Sequence, residues 1–134
     1  MERFIYTAKE PQSRRVLLPR LPFTLISQKQ SLNVYGLLDT GSSVNVLPYS
    51  LGIQFGGTWE DELPTLHLTG NLAKSDAQPF VLNALIGSFA EIELVFAWTK
   101  ADNIPIILGQ YDFFEQFDAC FFRSEMAFEL QLKK

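Results

Sequence analysis

One aspartate of this chain stands in a setting suited to chemistry, the segment Leu38-Asp39-Thr40-Gly41-Ser42. The apolar residues 34–38 before it predict a buried strand, and the small and polar residues after it favour a tight loop. An ionised carboxylate is costly to desolvate unless hydrogen-bond donors reach it. We therefore expect the loop to supply such donors to Asp39, with Gly41 in a backbone conformation closed to other residues.

Two carboxyl groups that share one proton can hydrolyse a peptide bond, because one takes a proton from water while the other protonates the product. Two like charges about 3 Å apart do not ionise together easily, which favours activity at acidic pH. The sequence holds one Asp-Thr-Gly and no Asp-Ser-Gly, and 134 residues are too few for two such lobes. We therefore expect a two-fold symmetric homodimer that places Asp39 of each chain at its axis.

A second segment strengthens this interpretation. The apolar residues 106–108 precede Gly109, and Tyr111, Phe114 and Phe117 follow at intervals of three, which predicts a short helix. About 70 residues separate this glycine from Asp39. Residues 37–48 and 106–114 together resemble the two signatures of single-domain, retropepsin-like aspartic proteases of the bacterial and cellular type, and the resemblance covers roughly residues 22–132.

The resemblance implies an all-β, closed β-barrel-like retropepsin (acid protease) fold with one short helix near the C-terminus. It implies a homodimeric aspartic endopeptidase that holds an extended peptide or protein substrate under a β-hairpin flap, here residues 66–82. Asp39 and its symmetry mate would activate water, and Thr40 and Gly41 would fix the loop, with Thr40 also clamping the two loops together. The implied substrate-binding residues are Ser42, Ser43, Gly70, Asn71, Leu72 and Ile106.

Two positions depart from the viral members of that family. Viral enzymes usually carry a paired Asp and Arg where this chain has Ser43 and Gln110. Both charges are lost together, so the change is interpreted as compensated. The flap is also poorer in glycine than viral flaps, with Gly70 alone near its tip.

Two other interpretations remain open. Asp-Thr-Gly by itself also fits a structural turn, so the chain could be a non-catalytic retropepsin-fold module for dimerisation or peptide binding. Alternatively, it could be a monomer that assembles only when fused or bound to another protein. Peptide cleavage by the wild-type chain and by a variant at Asp39 distinguishes the first of these from an enzyme.

The remaining pattern is mostly that of strands. Residues 22–27 and 32–38 predict a hairpin, residues 44–47 a short strand stopped by Pro48, and residues 49–52 a helical turn closed by Gly52. Further strands are predicted in residues 66–70, 80–86, 91–97, 103–109 and 126–132. We expect an N-terminal arm at residues 1–15 and one protease domain at residues 16–134.

Composition limits the classes of partner. The net charge of -4 argues against nucleic acid, which needs clustered Lys and Arg. The single cysteine rules out an intramolecular disulfide and a multi-cysteine metal site, and we expect neither a metal nor another cofactor. Because no signal peptide and no run of about 18 apolar residues stands out, we expect no membrane association and a cytoplasmic location.

Several polar or aromatic residues have simpler interpretations. We expect Cys120 to be a small buried residue and His67 to lie on the surface. Five phenylalanines are expected in the core: Phe113, Phe114, Phe117, Phe121 and Phe122. The remaining candidate aspartates are interpreted as caps and solvated loop charges: Asp61, Asp76, Asp112 and Asp118.

Overall fold

A computed structural model describes residues 1–8, 16–28, 30–61, 66–67 and 76–133, with residues 66–67 described through their backbone alone. The strands in these ranges are β1 (Glu2–Ile5), β2 (Arg20–Ser27), β3 (Gln30–Leu38), β4 (Asn45–Leu47), β5 (Leu66–His67), β6 (Asp76–Leu85), β7 (Ile92–Thr99), β8 (Ile106–Leu108), β9 (Phe117–Phe122) and β10 (Ala127–Leu132). The helices are α1 (Tyr49–Gln54), α2 (Phe113–Gln116) and a 3-10 turn at Arg123–Glu125.

Six of these strands form a closed β-barrel, which confirms the all-β prediction. The hydrogen-bonded order runs β2-β3-β8-β4-β7-β6, and β6 pairs again with β2 to close the barrel. The long hairpins β2–β3 and β6–β7 are antiparallel, whereas β8 runs parallel to β3 and β4 runs parallel to β7. This crossing brings the ends of β3 and β8 side by side, so the chain segments that follow both strands are neighbours.

The barrel closes around apolar side chains that alternate along its strands. In β2 the inward residues Leu21, Phe23 and Leu25 are buried, and in β7 Leu94, Phe96 and Trp98 continue the same core. Aromatic and branched side chains pack well on such half-buried pleated surfaces. The sequence pattern therefore predicts the β2–β3 hairpin correctly, and the pairing of β5 with β6 confirms the base of a hairpin where the flap is expected.

A second, three-stranded sheet unites the two ends of the chain. Its order is β1-β10-β9, and both pairings are antiparallel. The first part of the predicted N-terminal arm thus forms a strand against the C-terminal strand. Residues 9–15 lie outside the described residues, so the boundary predicted at residue 15 stays a prediction.

Helix α1 corrects the role expected of Gly52. The helix continues past this glycine to Gln54. A Cβ at Gly52 would lie 2.1 Å from Nε1 of Trp98, so the position needs glycine because the indole packs against the helix there. Because α1 precedes α2, the expectation of one short helix near the C-terminus describes only part of the helical structure.

The C-terminal aromatic segment is also less buried than expected. Phe113 and Phe117 are fully buried and their rings stack at 4.9 Å. Phe121 is 40% exposed, and Cys120 is exposed rather than buried. The reason is that β9 is an edge strand of the small sheet, and the core covers only part of it. No helix in the described ranges is long and apolar enough to cross a membrane.

Candidate active site

Asp39 stands one residue past β3, at the point where the barrel strand gives way to a loop. Its backbone N–H donates to the carbonyl of Leu108 (3.0 Å), which prolongs the β3–β8 pairing by one residue. Its Oδ1 accepts a hydrogen bond from the N–H of Gly41 (3.0 Å), and Ser42 N–H donates to the Asp39 carbonyl (3.1 Å). The side chain is thus partly buried and turned back toward its own loop.

Gly41 does not adopt the special backbone conformation that the sequence suggests for it. The glycines with left-handed backbone in the described ranges are Gly56 and Gly87, so Gly41 does not need its conformational freedom. A Cβ at Gly41 would meet Oδ1 of Asp39 at 3.3 Å. The glycine therefore leaves room for the carboxylate to approach the backbone N–H that binds it.

The two sequence motifs are joined backbone to backbone. Gln110 N–H donates to the carbonyl of Ser42 (2.9 Å), and Tyr111 N–H donates to that of Ser43 (2.9 Å). In return, Asn45 N–H donates to the carbonyl of Tyr111 (2.9 Å). The loop after Asp39 is consequently held along its length by the segment after β8.

Gly109 makes this close approach sterically feasible. A Cβ on this residue would lie 2.3 Å from the carbonyl oxygen of Val44 and 2.8 Å from that of Ser42. Both atoms belong to backbone, which cannot swing aside as a flexible side chain can. The second motif thus requires glycine because two chain segments cross here at contact distance.

Gln110, one of the two departures from the viral pattern, has a defined partner. Its side-chain Nε2 donates to the carbonyl of Thr40 (2.9 Å). The side chain is exposed, so the bond contributes modestly to stability. It nevertheless links the second motif directly to the residue that follows Asp39.

A buried polar cluster behind the loop was missed by the sequence interpretation. Asn45 is fully buried; its Oδ1 accepts from Gly109 N–H (2.8 Å), and its Nδ2 donates to Asp112 Oδ1 (2.7 Å) and to the Val95 carbonyl (3.1 Å). Asp112 Oδ1 also accepts from Val95 N–H (3.1 Å). Asp112 occupies the N-cap position of α2 but makes no side-chain capping bond there, so it is neither the solvated loop charge nor the capping side chain that the sequence suggests.

Gln116 completes this cluster from helix α2. Its Nε2 donates to Asp112 Oδ2 (3.1 Å) and to the Glu93 carbonyl (2.9 Å). The signal available in the sequence was Asn45 itself, a polar residue inside the apolar run of residues 44–47. A buried amide in such a run requires partners, because an unsatisfied polar group costs free energy.

The predicted substrate-binding residues fall into three groups. Ser42 and Ser43 lie on the Asp39 loop, where the Ser42 hydroxyl donates to the Val44 carbonyl (2.7 Å). Ile106 is only 4% exposed and belongs to the main core, so it offers a substrate very little surface. The predicted flap-tip residues lie outside the described residues: Gly70, Asn71 and Leu72.

A smaller apolar cluster lies on the opposite side of β8 from Ile106. Successive strand residues face opposite ways, so Ile107 points away from the main core. It joins Val44 and Ile104 against the buried residues Val46, Ala77 and Ala97. Ala77 belongs to the β5–β6 pairing at the base of the predicted flap hairpin, so this cluster connects the Asp39 loop with that pairing.

Among the described residues, no group of three or more His, Cys, Asp and Glu side chains is arranged to hold a metal ion. The sequence matches no protein-family model, and no curated protein matches it.

Proposed function

We propose that this chain is one subunit of a homodimeric aspartic endopeptidase of the retropepsin type. The observation that carries the proposal is the Asp39 loop: a partly buried carboxylate at a strand end, bound by Gly41 N–H and held by the Gly109 segment. Because the chain has one such aspartate, the second carboxylate comes from another copy. The closed barrel supports the proposal at the level of fold.

The two Asp39 carboxyls share one proton and hold a water molecule between them. The ionised carboxyl accepts a proton from this water as its oxygen bonds to the peptide carbonyl carbon. The protonated carboxyl supplies the proton that the amide nitrogen needs as the C–N bond breaks. Water and one peptide bond thus become a carboxylic acid and an amine, and the catalytic pair returns to holding one proton.

The apolar cluster around Ile107 supports a preference for apolar side chains near the cleaved bond. Val44 follows the Asp39 loop directly, and Ala77 lies at the base of the flap hairpin. An extended peptide between these two elements passes over apolar surface. Binding of apolar side chains is favourable here because it removes this apolar surface from water.

Peptide hydrolysis by the purified full-length chain tests the proposal. A library of peptides with apolar residues is incubated between pH 3 and pH 7, with wild type, Asp39→Asn and Asp61→Asn compared. Asp61 is the matched control because it forms an exposed ion pair with Lys100. We expect cleavage that is fastest at acidic pH, unchanged in Asp61→Asn, and reduced at least about 1,000-fold in Asp39→Asn.

Cleavage that survives in Asp39→Asn contradicts the proposal, as does its absence from the wild type over the whole pH range. If the wild type binds extended peptides but leaves them intact, the chain is a non-catalytic peptide-binding module. The aspartic-protease inhibitor pepstatin gives an independent check, because it should block cleavage without changing the protein.

A further inference from the structure

The peptide group between Thr40 and Gly41 is bound at both of its ends. Its N–H, on Gly41, donates to Oδ1 of Asp39 (3.0 Å), and its C=O, on Thr40, accepts from Nε2 of Gln110 (2.9 Å). A peptide group is planar, and this one is trans, so its C=O and N–H point in opposite directions. Gln110 therefore binds the far end of the group whose near end binds Asp39.

The backbone hydrogen bonds of the loop do not provide this contact. Gln110 N–H donates to the carbonyl of Ser42, and Tyr111 N–H donates to that of Ser43, each at 2.9 Å. Within the described part of the chain, no backbone N–H donates to the Thr40 carbonyl. The path of the loop is thus held by main-chain bonds, and the Gln110 side chain acts on one peptide group within it.

The backbone that carries the Gln110 side chain is fixed relative to the loop. A Cβ on the preceding residue, Gly109, would collide with backbone atoms of Ser42 and Val44, so the two segments cross at contact distance. Gly109 N–H also donates to Oδ1 of the buried Asn45 (2.8 Å). The side-chain amide of Gln110 therefore starts from a rigid base, and it reaches the Thr40 carbonyl without any movement of either segment.

Two hydrogen bonds that share one peptide group strengthen each other. Donation by Gln110 Nε2 draws electron density toward the Thr40 oxygen, and the N–H at the other end of the group becomes a stronger donor. That N–H donates to a carboxylate, and hydrogen bonds to ionised acceptors are about twice as strong as neutral ones. The Gln110 amide thus both fixes the direction of Gly41 N–H and strengthens its bond to Asp39.

We propose that Gln110 is a positioning residue for peptide hydrolysis, and that it fixes the orientation of the Asp39 carboxylate through the Thr40–Gly41 peptide group. This inference rests on the proposed function, in which that carboxylate accepts a proton from water. With Oδ1 held by Gly41 N–H, Oδ2 is directed at a constant angle toward the reacting water. Such positioning matters because small displacements of a reacting group cost much of the rate.

A purely structural role for Gln110 makes a different prediction. The side chain is exposed, and a hydrogen bond between exposed groups contributes little to the stability of the fold. If the bond served structure alone, its removal would lower stability slightly and leave kcat unchanged. Positioning predicts the reverse, a clear loss of kcat in a protein whose unfolding midpoint barely changes.

Peptide hydrolysis by three variants of the full chain tests the proposal. Gln110→Met keeps the length of the side chain and removes its donor, and Gln110→Lys restores a donor. Gln30→Met is the control, because Gln30 is exposed at the opposite end of β3 from Asp39. We expect kcat to fall about 10-fold in Gln110→Met with KM within about twofold of wild type, to recover in Gln110→Lys, and to stay unchanged in Gln30→Met. An unchanged kcat in Gln110→Met, or an equal loss in Gln110→Lys, overturns the proposal.

A second measurement follows the amide proton of Gly41 by nuclear magnetic resonance in the protein without substrate. A strong hydrogen bond to a carboxylate moves an amide proton downfield, and Asp39→Asn provides the reference for its loss. At neutral pH the Gly41 resonance should move upfield in Gln110→Met, toward its position in Asp39→Asn, and should return in Gln110→Lys. A resonance that stays at the wild-type position in Gln110→Met overturns the proposal.

Failure of this inference is distinguishable from failure of the proposed function. If hydrolysis depends on Asp39 and Gln110→Met keeps the wild-type kcat, the protease stands and the role of Gln110 falls. If no Asp39-dependent hydrolysis is found, the proposed function falls, and the Gly41 resonance still decides whether Gln110 controls the hydrogen bond to Asp39.

Discussion

The segment before α2 holds the Asp39 loop and β9 begins directly after α2, yet the loop and the outer edge of β9 satisfy their backbone groups in opposite ways. The loop is bound on its inner side by residues 108–111, through hydrogen bonds of 2.9–3.0 Å. The edge of β9 leaves the polar groups of Ala119 and Phe121 without a strand partner in the described part of the chain. The Asp39 loop thus finds its backbone partners within one chain, whereas the outer edge of β9 leaves backbone groups open to another strand.

Under the proposed function, the contrast shows how one chain would hold its half of an active site rigid before two chains assemble. A catalytic carboxylate has to be held in position by rigid neighbours, because small displacements cost much of the rate. An association edge needs only accessible hydrogen-bonding groups and some apolar surface. Substitutions in the loop region should therefore lower the free energy of unfolding most, and substitutions in the terminal sheet should leave the loop unchanged.

The largest expected effect is at the crossing of the two motifs. Gly109→Ala would place a Cβ 2.3 Å from the Val44 carbonyl oxygen, so two backbone segments must separate. We expect the free energy of unfolding to fall by about 3 kcal/mol. Gly41→Ala is the control, because its Cβ meets its nearest neighbour at 3.3 Å, and we expect it to lose less than about 1 kcal/mol. Urea unfolding that shows equal losses would contradict this account.

A smaller loss is expected from the buried polar cluster. Asn45→Ala leaves Gly109 N–H and the Asp112 carboxylate each without one partner in a buried setting. We expect about 2 kcal/mol of destabilisation, the usual cost of stranded buried polar groups. Asn103→Ala, at an exposed position, serves as the control and should change the unfolding midpoint very little. An unchanged midpoint for Asn45→Ala would show that the cluster does not hold the loop.

The smallest expected effect concerns the terminal sheet and depends on pH. The hydroxyl and backbone N–H of Ser88 hold the pKa of Glu2 below its usual range. A carboxyl with a lowered folded-state pKa stabilises the fold above its unfolded pKa of about 4.3, and the contribution is lost as pH falls through the folded value.

The protection factors of the β1 amides, which correct for the intrinsic exchange rate, should therefore fall in acid in the wild type. Glu2→Gln should weaken protection of β1 at neutral pH and remove this dependence, while the Asp39 loop keeps its protection. Glu115→Gln, at an exposed position on α2, is the control. If Glu2→Gln loosens the Asp39 loop as much as β1, the two regions are not independent.

The strands of the barrel were largely predictable because residues close together in the sequence mark where each strand runs and ends. Inward residues such as Leu21 and Phe23 alternate with outward ones, and Pro48 ends β4 where expected. The Asn45 and Asp112 cluster was not predictable, because its members are 67 residues apart and meet only through the strand crossing. Cys120 and Phe121 were assigned to the core because their neighbours are apolar, yet an edge strand leaves them exposed.

Local sequence is enough to show that an aspartate stands between a buried strand and a tight loop, because this depends on residues next to it in the chain. A count of motifs is enough to show that one chain holds one such aspartate. Only the folded barrel shows that Gly109 lies against Val44, that Gln110 reaches the Thr40 carbonyl, and that Ile107 rather than Ile106 faces away from the main core. Contacts between distant segments depend on how strands cross and pair, and that arrangement is fixed only when the whole barrel closes.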